Sequence, residues 1–122
     1  MNDNLAYQED ILDEMVNGQI FLMSPRPTVN HNRVCGNIFR AFGNRLEGKG
    51  CESFGDGTDV YLSEKDRVIP DVMIICNKDI IRENGVYGAP DLVVEVLSPG
   101  TEKRDRGIKK NLYEKCGVKE YW

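Results

Sequence analysis

Apolar residues along this chain fall into three patterns: helical spacing, short alternating stretches, and unbroken runs. Residues 19–23 (QIFLM) follow Asn17-Gly18, a pair suited to a tight hairpin turn, and predict a short strand that Ser24-Pro25-Arg26-Pro27 ends. From about Asn30, the residues Val34, Ile38, Ala41, Phe42 and Leu46 recur at helical spacing as far as Gly48-Lys49-Gly50, which predicts an amphipathic helix. Residues 58–62 and 68–76 read as strands. The second is almost wholly apolar after Pro70-Asp71, as expected of a strand covered on both faces. Residues 92–97 form a similar run after Pro90-Asp91. Thr101 then offers an N-cap to a helix whose inner face is Ile108, Leu112 and Cys116 and which Gly117 ends. Gly107 inside that helix costs ~1 kcal/mol relative to Ala, so the helix must lean on packing. Residues 118–122 open a further strand.

The 122 residues suit a single domain spanning 1–122, without repeat or linker. No apolar run approaches the ~20 residues that cross a bilayer, which argues against a membrane partner. The acidic start MNDNLAYQED lacks a basic n-region and an apolar h-region, so a cytoplasmic location is expected. Cys35, Cys51, Cys76 and Cys116 contain no C-x-x-C pair and only one histidine accompanies them, which predicts four reduced, mostly buried thiols rather than a zinc set. A net charge of −4 argues against non-specific coating of nucleic acid. Locally the balance reverses: residues 101–116 carry Lys103, Arg104, Arg106, Lys109, Lys110 and Lys115 against Glu102, Asp105 and Glu114. Such a helix is either a solvated face or a surface that touches phosphate.

Glu95 is the residue with the most to explain. A carboxylate inside an apolar run is costly to bury unless it is paired, protonated or bound to a metal. Asp91 lies ~13 Å away along an extended strand and cannot share an ion with it. Asp71, at the head of the other apolar run, can do so if the two strands are neighbours. Converging Asp and Glu oxygens suit Mg2+ or Mn2+, which keep several waters and leave room for a phosphate oxygen. In the alternative reading, Glu95 pairs with a buried Arg or Lys and Asp71 caps a turn.

Pro70-Asp71, 23 intervening residues and Glu95 resemble the PD…(D/E) part of the PD-(D/E)XK nucleases. The segments IPDVMIIC, GVYGAPDLVVEVLSPGT, RDRGIKKNLYEKCGVKEYW and EMVNGQIFLMSP are similar, from about Glu14 to Trp122, to a bacterial restriction-endonuclease-like family of that superfamily, long carried as a domain of unknown function. The resemblance implies an α/β restriction-endonuclease-like fold, a central mixed β-sheet flanked by helices, with Asp71, Glu95 and Lys109 catalytic and DNA the substrate. Family members generally run longer, so the chain is expected to lack a C-terminal portion of its domain. An unpaired sheet edge would then offer a route to a homodimer.

One position departs from the superfamily pattern: Leu97 stands where a lysine is expected two residues after the glutamate. In the resembling family a lysine on the following helix serves instead, within a D-x-x-x-K-x-x-x-Y stretch that is Asp105, Lys109 and Tyr113 here. Asp105 and Lys109 could equally form a surface helix pair worth ~0.3 kcal/mol. The resemblance also gives supporting roles to Glu14, Asp59 and His31. Each has a plainer alternative, as a surface acid, a half-buried strand acid and a capping or packing histidine. Lys103, Arg104 and Lys110 are the candidate nucleic-acid contacts. Loss of turnover, leaving a nuclease-fold binding module, is the rival function that Leu97 favours.

Overall fold

A computed structural model describes residues 12–23, 27–55, 57–97 and 105–122, with the backbone alone at 105 and 106. Asp13–Val16 (β1) and Gln19–Leu22 (β2) form a hairpin. Its turn residues Asn17 and Gly18 take φ of 53° and 79°, the left-handed pair that matches the twist of the two strands. Val29–Leu46 (α1) starts at Thr28, whose hydroxyl accepts the His31 N–H at 3.1 Å. The inward stripe of α1 is His31, Cys35, Ile38, Phe42 and Leu46. Val34 and Ala41, expected on that stripe, are exposed, because the 3.6-residue period counted from the capped first turn puts Cys35 beneath the helix.

Among the described residues eight further strands follow: Glu52–Phe54 (β3), Val60–Ser63 (β4), Asp66–Val68 (β5), Val72–Ile75 (β6), Ile81–Arg82 (β7), Gly85–Tyr87 (β8), Leu92–Val94 (β9) and Glu120–Tyr121 (β10). The expected α/β architecture is present, with the sheet divided in two. One sheet has the order β2-β1-β5-β4-β8-β7 and the other β10-β9-β6-β3. Both are mixed, since β4 with β8 and β9 with β10 are parallel while the other pairs are antiparallel. The apolar run 68–76 is therefore not one strand. Pro70 has no N–H for a ladder, and Ile69-Pro70-Asp71 carries the chain from β5 in one sheet to β6 in the other.

Val16, Val60, Val68, Met73, Ile75, Val86 and Val93, from both sheets, pack together with Leu112 and Tyr113. Val72, Leu92 and Val94 instead meet α1 through Cys35, Ile38 and Phe42, with Val96 alongside. Two faces of β9 thus serve two packing layers.

Asp105–Lys109 is a π-helical turn that leads into Lys110–Lys115 (α2). The wider turn shifts the expected register: Lys109, Leu112 and Tyr113 are buried, whereas Ile108, expected inward, is 41% exposed. The proposed N-cap Thr101 lies outside the described residues. The cysteine expectation also fails. Because Glu52 pairs with Ile75 across β3 and β6, Cys51 and Cys76 stand directly opposite and are joined in a disulfide. Cys35 and Cys116 are thiols, both half-buried.

Candidate active site

Three strand ends and one helix bring the acids together. Strand alternation in β1 puts Glu14 on the same inward face as Val16, and Glu14 is 1% exposed. Strands β6 and β9 are antiparallel with Val72 opposite Val94, so one further step of that register sets Asp71 opposite Glu95. Both are buried. Asp71 Oδ2 accepts the Val96 N–H at 2.7 Å, clamping the two strand ends, and the Glu95 N–H donates to the Trp122 carbonyl at 3.1 Å.

The Lys109 ammonium bridges Glu14 of β1 and Glu95 at the end of β9. It donates to Glu14 Oε2 at 2.7 Å and to Glu95 Oε2 at 2.9 Å. Tyr113, one turn further along the helix, donates its hydroxyl to the same Glu95 oxygen at 2.5 Å. Glu14 Oε2 also accepts the Ile69 N–H at 2.8 Å, which fixes the residue just before Pro70-Asp71. On the α1 side, His31 Nε2 lies 3.4 Å from Asp71 Oδ2.

The cluster is rich in buried acids. Among the described residues, Glu14 and Glu95 share the buried Lys109 ammonium, and Asp71 lies beside Glu95 with His31 on its other side. Burial pushes the Glu95 carboxyl up to about 7, and the charges of Asp71 and Glu14 add to this against the opposing pull of Lys109 and Tyr113. Burial alone would lower Lys109, but Glu95 and Glu14 outweigh it and hold the ammonium above its ordinary value. Burial, then the charge of Glu95 and the hydrogen bond to it, keeps the Tyr113 phenol protonated well above its usual range. Converging carboxylates, presented as hard oxygens, suit a divalent cation such as Mg2+ or Mn2+, which Asp71 and Glu95 could hold. Without one, Glu95 takes up a proton instead.

A pH dependence follows from that proton. Folded Glu95 keeps its proton between its ordinary value of 4.5 and about 7, where the unfolded residue has lost it. The unfolded state then binds fewer protons, so stability falls as pH rises through this window and levels off above it. The size of the effect is about 3 kcal/mol. Melting curves in EDTA between pH 5 and 8 should therefore decline more steeply for the wild type than for Glu95→Gln. Parallel curves would mean that Glu95 titrates normally.

The remaining candidates fall in different places. Asp59 precedes β4 and accepts from Arg67 Nη1 at 3.2 Å, while the other Arg67 Nη group donates to Asp13. These contacts tie β1 to β5 and supply no described ligand to the acid cluster. Lys109 is not half of a surface pair, given its buried contacts with Glu14 and Glu95. Lys110 is exposed on α2, and Lys103 and Arg104 lie outside the described residues. Sequence reasoning missed Cys35, whose Sγ lies 3.7 Å from His31 Nδ1. The i, i+4 spacing of His31 and Cys35 on one helix face was the available signal.

Two opposed strands ending in an acid pair, backed by a buried lysine on the next helix, define a nuclease-like α/β fold. The chain belongs to the Uma2 family, described as "Putative restriction endonuclease", whose model matches residues 4–122. It is 34% identical over 101 residues to the uncharacterized protein slr1290 of Synechocystis sp., covering 82% of this chain and 53% of that protein. Among solved structures, it is similar to a protein from Anabaena variabilis titled a putative nuclease belonging to DUF820. The TM-score is 0.71 at 19% identity, covering 90% of this chain and 64% of the other. The chain thus spans about half the length of the curated relative it matches. Among the described residues, no helix is long and apolar enough to cross a membrane.

Proposed function

We propose that the chain carries the catalytic centre of a divalent-metal-dependent DNA endonuclease that hydrolyses phosphodiester bonds with an activated water. The observation that carries this reading is the convergence of three buried carboxylates, Glu14, Asp71 and Glu95, with the Lys109 ammonium held between Glu14 and Glu95. Family membership supports it, as does the likeness to the Anabaena protein described as a putative nuclease. Asp71 and Glu95 would hold Mg2+ or Mn2+. The bound ion would supply a Lewis acid for a phosphoryl oxygen and a water of lowered pKa.

The chain's own groups do the rest. Tyr113 and Lys109 both donate to Glu95 Oε2 and so fix the rotation of that carboxylate. Glu14 anchors Lys109 from the opposite side. The ammonium thus stays charged at neutral pH beside the acids, where it orients the attacking water and offsets charge growing on the phosphate. Lys109 supplies the ammonium that Leu97 does not, which weakens the case for a binding module without turnover.

The test is cleavage of supercoiled plasmid and of linear duplex with Mg2+ or Mn2+, and with EDTA. The wild type should nick or cut only with metal, and Asp71→Asn should lose at least ~10³-fold in rate, the upper scale for one electrostatic stabiliser. Metal-independent cleavage, or undiminished cleavage by Asp71→Asn, would remove the acid cluster from the reaction.

A further inference from the structure

On the α1 side of Asp71, the donor set changes from oxygen alone to nitrogen, sulfur and oxygen. His31, Cys35 and Asp71 each offer one ligand atom, and these atoms all lie within 4.8 Å of one another. His31 Nε2 is 3.4 Å from Asp71 Oδ2, and Cys35 Sγ is 3.7 Å from Nδ1 and 4.0 Å from Nε2 of the same ring. Tetrahedral zinc, with Zn–N and Zn–O near 2.0 Å and Zn–S near 2.3 Å, needs ligand-to-ligand separations of ~3.3–3.5 Å. The His31–Asp71 contact already meets this, and Cys35 Sγ has to close in from 4.0 Å to Nε2 to complete the set.

The placement is also favourable. His31 and Cys35 are one turn apart on the inward stripe of a capped 18-residue helix, a spacing that lets two side chains reach one point. Asp71 comes to them from a strand end held by the Val96 N–H. Its side chain and that of His31 are each 11% exposed, which leaves the cluster screened but within reach of solvent.

We infer that His31, Cys35 and Asp71 form a binding site for a borderline divalent cation such as Zn2+, sharing Asp71 with the all-oxygen cluster. Three protein ligands leave the fourth position open to water, as in zinc sites that do chemistry rather than closed structural ones. Binding releases the Cys35 thiol proton to solvent, since the thiolate is the ligand. Mg2+ does not compete effectively here, because imidazole and thiolate favour later transition metals. The inference goes beyond the proposed hydrolysis and does not require it.

Cobalt is the direct probe, because Co2+ replaces Zn2+ and reports on sulfur ligation through its colour. Anaerobic titration of the chain with Co2+ should produce a thiolate-to-cobalt charge-transfer band that saturates near one equivalent and that Zn2+ abolishes. Cys35→Ser should remove the band, while Cys116→Ser should retain it. His31→Ala should weaken cobalt affinity by about 10–100-fold or more, since even groups that only orient ligands matter on that scale. Glu95→Gln should keep the band, so a failure of the oxygen cluster and a failure of this site are told apart. Far-ultraviolet circular dichroism of each variant verifies the fold. Absence of the band in folded wild type, or its persistence in Cys35→Ser, would overturn the assignment.

Discussion

Lys109→Ala should slow DNA cleavage at saturating Mg2+ by ~10²-fold or more, the usual scale for losing one electrostatic stabiliser, while metal affinity is retained. The lysine is 4% exposed and bonded to two buried carboxylates, so its removal leaves the acids without their internal cation. The metal-free variant should also be less stable by ~3–5 kcal/mol, the cost of breaking a buried ion pair from one side. Added Mg2+ should restore much of that loss, because the ion binds the folded site. Lys110→Ala is the matched control on the exposed side of α2, where only salt-sensitive DNA association should weaken. Single-turnover rates for the two variants, with melting curves in EDTA and in Mg2+, measure all of this. A Lys109→Ala enzyme as fast as the wild type would take the lysine out of the reaction.

Val94→Asp should abolish folding. Val94 is 4% exposed and lies in the layer where β6 and β9 meet Cys35, Ile38 and Phe42 of α1, with no described cation among its neighbours. An unpaired charge there costs several kcal/mol against a total stability of ~5–15 kcal/mol. Leu22→Asp, at an exposed edge position, should melt close to the wild type. Circular dichroism melting distinguishes the two. A soluble, cooperatively melting Val94→Asp protein would show that the layer between α1 and the four-stranded sheet is dispensable.

The strongest local signals in the sequence reappear as structure, and the errors have specific causes. Asn17-Gly18 marks its turn because few residue pairs tolerate two left-handed conformations in succession. Glu95 drew attention through the cost of burying an acid, and its resemblance to the family motif linked it to Asp71. The run 68–76 misled because apolar residues look alike whether they line one strand or two, and only Pro70 marked the crossing. The Cys51–Cys76 disulfide depends on the β3–β6 register, which two cysteines separated by 25 residues do not reveal. Regular helical spacing puts Ile108 inward, and the π turn at 105–109 leaves it exposed. The inward position of Glu14 is legible in the sequence. In DEMV the two-residue strand period already puts it beside Val16, and an acid on an inward face needs a partner. That partner, Lys109, is 95 residues away, a separation no local pattern reports.

Whether Asp71 and Glu95 jointly hold a divalent ion is measured most directly with Mn2+, without requiring turnover. Titration of the chain with Mn2+, followed by the electron paramagnetic resonance of the free ion, should give one site per chain that Mg2+ displaces. Glu95→Gln should weaken that site by ~100-fold or more, because it removes a charged oxygen ligand from a buried position. A wild-type chain that binds no Mn2+, or a Glu95→Gln chain that binds it equally well, would contradict the account.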